Sequence, residues 1–140
     1  MTTRVGWMTL MSALLMAAII YGCSGGATPA VGHDISAAQL EAMMADGLPL
    51  VILDVRSPAE YDGGHIAGSI NIPLSELEVR LNELQIDTRT ACVCTTGVRS
   101  AQAAHLLLDH GFFSVYNLEG GLRTWLLPLE PSRLSPEPAA

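Results

Sequence analysis

The chain has 140 residues, enough for one folded domain, and its formal net charge of −7 comes from seven arginines, no lysine and fourteen acidic residues. Because phosphate binding needs a basic patch, this balance excludes a nucleic-acid-binding protein. The three cysteines are too few for a disulfide framework, and they lack the histidine partners of a structural zinc site. Each cysteine therefore needs an explanation of its own.

The first two dozen residues have the pattern of a secretory signal. Arg4 precedes a mostly apolar run from Val5 to Ile20, and small residues follow it. The run is shorter than the roughly 20 residues that a membrane-spanning helix usually needs. We therefore predict that residues 1–22 are a signal peptide, with an uncleaved membrane anchor and cleavage without a lipid as the alternatives.

The segment from Ile20 to Cys23 resembles a bacterial lipobox, in which an apolar residue and small residues precede a lipid-modified cysteine. The resemblance implies that Cys23 carries a lipid, so that the membrane is a partner through this anchor. Ser24 stands where an aspartate would favour the inner membrane. We therefore expect an extracytoplasmic lipoprotein on the periplasmic face, at the outer membrane if the cell has two. Residues 23–33 are expected to be a flexible, lipid-anchored tether.

Residues 34–128 are expected to form the folded domain. Serines followed three residues later by glutamine or glutamate match the capping box and predict helices at Ser36, Ser57 and Ser75. A further helix is predicted at residues 100–109, and strands are predicted at residues 50–53, 70–72, 90–94 and 114–117. This alternation predicts an α/β fold, with a mostly parallel central sheet and helices on both faces. Residues 129–140 are rich in proline and are expected to be a disordered tail.

Cys94 ends a predicted strand and precedes a loop that leads into a helix, the place where open α/β sheets hold their ligands. Gly97 permits a positive φ, so this loop can curl and turn its N–H groups towards one point. The following helix directs the positive end of its dipole to the same place, and Arg99 adds a positive charge. These features favour a reactive thiolate over a small, buried and unreactive cysteine, which is the alternative.

The residues around Cys94 resemble the C-x-x-G-x-R-S active loop of rhodanese domains. This loop comprises Cys94, Thr95, Thr96, Gly97, Val98, Arg99 and Ser100. The upstream signature of the family resembles Asp54–Arg56, Glu60–Tyr61, Gly64–Gly68 and Asn71–Pro73, and its closing motif resembles Leu118–Gly121 with Trp125. The motifs occur in the family's order and spacing from about residue 35 to residue 127. The resemblance therefore covers essentially the whole folded part and implies the rhodanese fold.

The resemblance implies an enzyme, a sulfurtransferase of the thiosulfate:cyanide type, in which Cys94 is the nucleophile and residues 95–100 bind the substrate. Cys94 would take sulfur from a small donor, thiosulfate or a persulfide, and hold it as a persulfide until a thiol acceptor removes it. No metal or organic cofactor is expected, and the chain is expected to be a monomer. The alternative is a non-catalytic rhodanese-like sulfur carrier or sensor that recruits a partner at the membrane.

Loop length and loop charge bear on the donor. Four residues separate Cys94 from Arg99, whereas the related phosphatases and arsenate reductases resemble C-x5-R, and the shorter loop favours sulfur over phosphate. Thr95 stands where many thiosulfate-specific members of the family carry arginine or lysine. The electrostatic help for a dianionic donor is correspondingly smaller. Thiosulfate is therefore expected to work in an assay without being assigned as the donor in the cell.

Four upstream residues are assigned to structural support. Asp54, Arg56 and Glu60 could form a catalytic triad of charges, but the resemblance favours a scaffold in which Arg56 and Glu60 pair beside the active edge. His65 could act as a base, but we expect it to fix its loop by a hydrogen bond. Cys92 is expected to be a core residue, with a resolving thiol as the alternative.

Overall fold

The computed structural model describes residues 30–132, and the predicted signal peptide, Cys23 and residues 133–140 lie outside this range. The strands are β1 (Ala30–Ile35), β2 (Leu50–Asp54), β3 (Ile70–Asn71), β4 (Arg89–Val93) and β5 (Ser114–Leu118). The α-helices are α1 (Ala37–Ala45), α2 (Pro58–Asp62), α3 (Leu74–Leu77) and α4 (Val98–Asp109), and 3₁₀-helices cover Glu78–Glu83 and Gly121–Arg123. Within residues 30–132, no helix is long and apolar enough to cross a bilayer.

The five strands form one sheet in the order β1-β5-β4-β2-β3, and all four neighbouring pairs are parallel. Successive side chains alternate between the two faces of this sheet. Leu53 and Cys92 pack in the layer that includes α3 and α4, whereas Ile52 and Ala91 pack on the opposite face with Leu40 of α1. The predicted α/β fold, with a parallel sheet and helices on both faces, is therefore confirmed.

Two of the three predicted capping boxes are confirmed, and the third is wrong. The side chains of Ser36 and Ser57 cap α1 and α2, and each helix returns the second hydrogen bond of the box through its third residue. Helix α3 instead begins at Leu74, directly after Pro73, and no side chain caps it. Ser75 lies inside the helix because the N–H of Leu74 already donates to Val55 O, so the helix begins two residues before the start that a cap at Ser75 would give.

Both ends of the folded part extend beyond the predicted boundaries. Residues 30–33, expected in the tether, belong to β1, which pairs with β5 at the edge of the sheet. At the other end, the N–H and C=O groups of Glu130 form hydrogen bonds with those of His65, and the N–H of Ser132 donates to Asp62 O. Residues 130–132 of the expected tail are therefore attached to the domain by main-chain hydrogen bonds.

Candidate active site

Cys94 directly follows β4, and the short loop from Thr95 to Gly97 connects it to α4. Gly97 has φ +90°, a conformation that residues with a side chain rarely adopt. A Cβ atom at this position would lie 3.1 Å from both Gly120 N and Leu118 O, so the loop also packs too closely for a side chain. The glycine therefore allows the chain to turn back and begin α4 beside the cysteine.

The sulfur of Cys94 lies within a ring of hydrogen-bond donors. Its Sγ atom accepts from the N–H of Gly97 at 3.1 Å, the N–H of Ser100 at 3.4 Å and the hydroxyl of Ser100 at 3.3 Å. The Ser100 N–H belongs to the first turn of α4, where N–H groups have no partner within the helix. The predicted convergence of loop N–H groups and helix start on this sulfur is thus present.

The ring determines the direction in which the pKa of Cys94 moves. Burial of the side chain is the largest single influence and raises the pKa, but hydrogen bonds from Ser100, Thr96 and Gly97 together outweigh it, so the net pKa is lowered. A hydrogen-bonded thiolate is the form that acts as a nucleophile. The site therefore favours a reactive sulfur although the side chain is buried.

The 3₁₀-helix Gly121–Arg123 packs against the active loop and binds its main-chain carbonyl groups. The N–H of Leu122 donates to Cys94 O at 2.8 Å, and the N–H of Arg123 donates to Thr95 O at 3.3 Å. Gly121 also approaches Cys94 so closely that a Cβ atom would overlap its carbonyl oxygen. Sequence reasoning linked this segment to the closing motif of the family but gave no physical role for it, because the contact joins residues far apart in the chain.

Cys92 lies two residues before Cys94 and packs in the core under α3 and α4. Burial raises the pKa of its thiol, and the nearby charge of Cys94 raises it further, so Cys92 stays protonated. A protonated, fully enclosed thiol is a poor nucleophile. The contacts therefore agree with the expected core role rather than with a resolving thiol.

The expected pairing of Arg56 with Glu60 is wrong. Arg99 instead binds Glu60 through both guanidinium branches, with N···O distances of 2.9 and 2.7 Å. Arg56 turns to Asp54, which is completely buried and needs a positive partner more than the half-exposed Glu60 does. The positive charge that Arg99 was predicted to add to the active loop is present, and it is paired with Glu60.

Asp54 and Arg56 build the scaffold beside the site. The Arg56 Nη2 atom donates to Asp54 Oδ2 at 2.7 Å and to Gly64 O at 2.7 Å, which ties the end of β2 to the loop before β3. The Asn71 side-chain amide donates to the main-chain oxygens of both residues at 2.9 Å. These hydrogen bonds all join residues between β2 and β3, as expected for structural support.

His65 is held by its neighbours in the same loop. Its ring stacks on that of Tyr61 with centroids 3.7 Å apart, and its Nδ1 atom donates to Tyr61 O at 2.9 Å. A cavity of about 530 Å³ opens beside these two rings and is also lined by Glu130, Pro131 and Ser132. The hydrogen bond is the one expected for a loop-fixing histidine, and Cys94 does not line this cavity.

The remaining loop residues form the outer side of the site. Val98 is 63% exposed and Thr96 is also exposed, whereas Thr95 is half-buried. The Thr95 hydroxyl donates to Glu60 Oε1 at 3.2 Å, so Glu60 contacts two members of the predicted loop. Among residues 30–132, no group of three or more His, Cys, Asp or Glu side chains is arranged to hold a metal ion.

Residues 36–127 match the family model described as "Rhodanese-like domain". The chain belongs to the rhodanese-like family. The uncharacterized protein YqhL of Bacillus subtilis is 46% identical over 74 residues, which are 53% of this chain and 59% of YqhL. A sulfurtransferase of Allochromatium vinosum is 31% identical over 93 residues, which are 66% of this chain and 87% of that protein.

Solved structures show the same fold. The crystal structure of a rhodanese-related protein from Thermoplasma volcanium has a TM-score of 0.64 and 37% sequence identity, and the alignment covers 70% of this chain and 97% of that one. The predicted rhodanese fold is therefore confirmed. The chain spans less than two thirds of YqhL, whereas the relative named a sulfurtransferase is covered almost completely and supports sulfur transfer in general.

Proposed function

We propose that this rhodanese-like chain is a sulfurtransferase that carries sulfane sulfur as a persulfide on Cys94. The observation that carries the proposal is the ring of donors from Gly97 and Ser100 around the Cys94 sulfur. Such a ring stabilises the thiolate without a neighbouring general base, and no histidine of the described residues forms a hydrogen bond with Cys94 Sγ. Cys94 is thus already a thiolate, able to attack, before the sulfur donor binds.

The reaction has two steps, each of which exchanges one sulfur–sulfur bond. The Cys94 thiolate attacks the outer sulfur of a donor such as thiosulfate, the S–S bond of the donor breaks, and sulfite leaves with the electron pair. The thiolate of an acceptor then attacks the outer sulfur of the persulfide and forms its own S–S bond. The bond between that sulfur and Cys94 breaks, and Cys94 recovers the electron pair as a thiolate. No net redox change is required.

The same hydrogen-bond donors stabilise the Cys94 sulfur both when it attacks and when it leaves. The N–H groups of Thr96, Gly97 and Ser100 that stabilise the thiolate lower its pKa before the first step. During the second step, negative charge returns to the same sulfur, and the fixed donors stabilise it without having to move. The loop therefore stabilises Cys94 as both nucleophile and leaving group.

Mass spectrometry of the purified chain after thiosulfate treatment tests this function. We expect a gain of one sulfur atom that Cys94→Ser abolishes and that the matched variant Cys92→Ser retains. Transfer of sulfur to cyanide or to a small thiol should likewise be lost in Cys94→Ser and retained in Cys92→Ser. A chain that remains unmodified with both thiosulfate and an organic persulfide would overturn the proposal, as would modification that persists in Cys94→Ser.

We further propose that a lipid on Cys23 holds the domain outside the cytoplasm. The support comes from the sequence alone, namely the apolar leader and the lipobox pattern from Ile20 to Cys23. Growth of a bacterial host with labelled palmitate should label the wild-type chain and leave Cys23→Ala unlabelled. Label that persists in Cys23→Ala would contradict the anchor.

A further inference from the structure

The carboxylate of Glu60 is the centre of a charge network at the active loop. Its two oxygens accept from both branches of Arg99, and Oε1 also accepts from the Thr95 hydroxyl. Oε2 is fixed further by the N–H of Ser57 at 3.1 Å and by the Ser57 hydroxyl at 2.9 Å. The capping box of α2 therefore determines where the Glu60 carboxylate lies and, through it, where the Arg99 guanidinium lies.

Arg99 directly precedes Ser100, whose N–H and hydroxyl contact the sulfur, and its Nη2 atom donates to the Thr95 hydroxyl at 3.3 Å. Its pKa is raised first by the hydrogen bonds to Glu60, and the negative charges of Cys94 and Asp54 also contribute. The side chains of Arg99 and Glu60 are each 38% exposed, so neither is sealed from an incoming ligand. Arg99 is the only charged residue between Cys94 and Ser100, and Glu60 offsets that charge.

With Arg99 paired to Glu60, the site can select between sulfur donors by their charge. Thiosulfate brings two negative charges to a buried thiolate, and the dipole of α4 contributes only about half a positive charge at the helix start beside the sulfur. An organic persulfide, RSSH, whose R group is uncharged brings at most one negative charge. Repulsion from the thiolate and from Glu60 therefore acts mainly against the dianion.

We propose that Glu60 is a positioning residue that sets donor specificity: by pairing with Arg99, it makes the site favour organic persulfides over dianionic thiosulfate. This inference rests on the proposed sulfurtransferase function and names its substrate class. In the favoured step, the Cys94 thiolate attacks the outer sulfur of RSSH, and the RS–S bond breaks. The thiolate RS⁻ leaves with the electron pair, and Cys94 becomes the persulfide.

The test compares kcat/KM for thiosulfate with kcat/KM for an organic persulfide whose only ionisable group is the S–SH itself, such as the persulfide of 2-mercaptoethanol. Glu60→Gln retains an oxygen for the capping box but removes the charge that pairs with Arg99. We expect its kcat/KM for thiosulfate to rise about tenfold relative to the persulfide, because Arg99 is then free to meet the dianion. Asp62→Asn is the matched control, since it removes one charge from the same helix at an exposed position without an ion pair in the described part of the chain.

Two further variants determine whether Arg99 is responsible. Arg99→Gln leaves Glu60 unpaired, so its kcat/KM for thiosulfate should fall about tenfold while that for the persulfide changes less. The double variant Glu60→Gln/Arg99→Gln should lose the gain of Glu60→Gln. Arg123, which is exposed next to the loop, is present in all of these proteins and cancels from the comparison.

The outcomes separate this inference from the proposed function. If neither donor leaves sulfur on Cys94, the sulfurtransferase function fails. If both donors do so but Glu60→Gln keeps the wild-type donor ratio, or Asp62→Asn changes it equally, the role of Glu60 is wrong. Should Glu60→Gln unfold, an unchanged thiosulfate rate in Arg99→Gln would by itself overturn the inference.

Discussion

At the scale of single residues, the reactivity of Cys94 depends on a balance between burial and hydrogen bonding. Burial opposes a negative charge on the sulfur, and three short contacts from Gly97 and Ser100 favour it. Ser100 supplies two of these contacts, one from its main chain and one from its hydroxyl. Its side chain can be removed without altering the loop backbone, so Ser100 gives direct access to this balance.

We expect Ser100→Ala to raise the pKa of Cys94 and to slow persulfide formation at pH 7. Hydrogen bonds to charged groups contribute about 1.5–3 kcal/mol, so the rate should fall roughly tenfold or more. Stopped-flow kinetics with thiosulfate or an organic persulfide would measure the effect. Ser75→Ala, at an exposed serine of α3, serves as the control and should leave the rate unchanged. Equal rates in Ser100→Ala and the wild type would contradict this role.

The ion pair between Arg56 and Asp54 is predicted to contribute far more to stability than the exposed pairs do. Arg56→Leu leaves the fully buried Asp54 carboxylate without its cation, which should lower the free energy of unfolding by about 3–5 kcal/mol. Arg80→Leu breaks pairs with Glu76 and Glu83 that are partly open to water, and should lower the free energy of unfolding far less. Urea denaturation would measure both variants, and similar losses would count against the scaffold role.

Local sequence was sufficient to single out Cys94 as the proposed nucleophile but not to predict all of the neighbours of its loop. The donors around Cys94 come from residues up to six positions further along the chain, so a short motif contains them. The partner of Arg99 is Glu60, 39 positions away, and only the packing of α2 against the active loop brings the two together. The Arg56–Glu60 pair that the family resemblance favoured is absent because Arg56 pairs with the buried Asp54, and that burial is not visible in the sequence.

At the scale of elements, the 3₁₀-helix Gly121–Arg123 and the active loop form one unit. Hydrogen bonds from Leu122 and Arg123 hold the carbonyl oxygens of Cys94 and Thr95. A loop fixed in this way keeps its N–H groups directed at the sulfur, since rotation of these peptide planes would break the contacts. The close approach of the two backbones requires a residue without a side chain at Gly121.

Two glycine variants separate backbone strain from this close approach. Gly47 and Gly121 both have positive φ, +74° and +61°. Gly47→Ala meets no atom within 4 Å and should cost about 1 kcal/mol from backbone conformation alone. Gly121→Ala would overlap Cys94 O and should cost several kcal/mol more, with loss of persulfide formation. Thermal unfolding and persulfide assays on both variants would test this, and equal effects would contradict the close packing.

Elements that are marked by a short sequence pattern of their own were predicted better than elements that form only by pairing with a distant segment of the chain. Two capping boxes and the apolar runs of β2 and β4 carry their own signal in a few residues. Strand β1 does not, because AVGHDI becomes a strand only by pairing with β5, more than 80 residues later. The attachment of residues 130–132 to the loop around His65 depends in the same way on distant backbone groups.

At the scale of the whole molecule, long-range contacts join the connections between elements to the central strands of the sheet. Arg89 at the start of β4 donates to both oxygens of Asp46 after α1, and also to Leu48 O and Pro49 O. This arginine thereby joins the α1–β2 connection to the middle of the sheet. The alternation of strands and helices predicted a parallel sheet, but the strand order depends on such contacts and could not be inferred from the sequence.

The pair between Asp46 and Arg89 predicts a pH dependence of stability. The hydrogen bond from Arg89 lowers the pKa of Asp46 from 3.8 to about 2, so the folded state holds this proton less tightly than the unfolded state. The resulting stabilisation is fully present above about pH 4 and is lost as the pH falls towards 2. We expect Asp46→Asn to lower the unfolding temperature at pH 6, with the difference from wild type shrinking towards pH 2.

Asp87→Asn is the matched control for this pH series. Asp87 is exposed and forms no ion pair among residues 30–132, so its replacement should leave the unfolding temperature close to that of the wild type at every pH. A constant difference between Asp46→Asn and the wild type from pH 6 to pH 2 would show that the pair is not the source of the effect. High salt should reduce the difference at pH 6.

The measurement that tests the account most directly is the titration of the Cys94 thiol in the folded chain. The thiolate absorbance near 240 nm, taken as the difference between Cys92→Ala and Cys92→Ala/Cys94→Ser across pH, reports the ionisation of this sulfur alone. Because of its ring of donors, we predict a midpoint clearly below the ordinary thiol value of about 8.5. A midpoint at or above that value would contradict the central claim that the loop and the start of α4 prepare Cys94 as a thiolate.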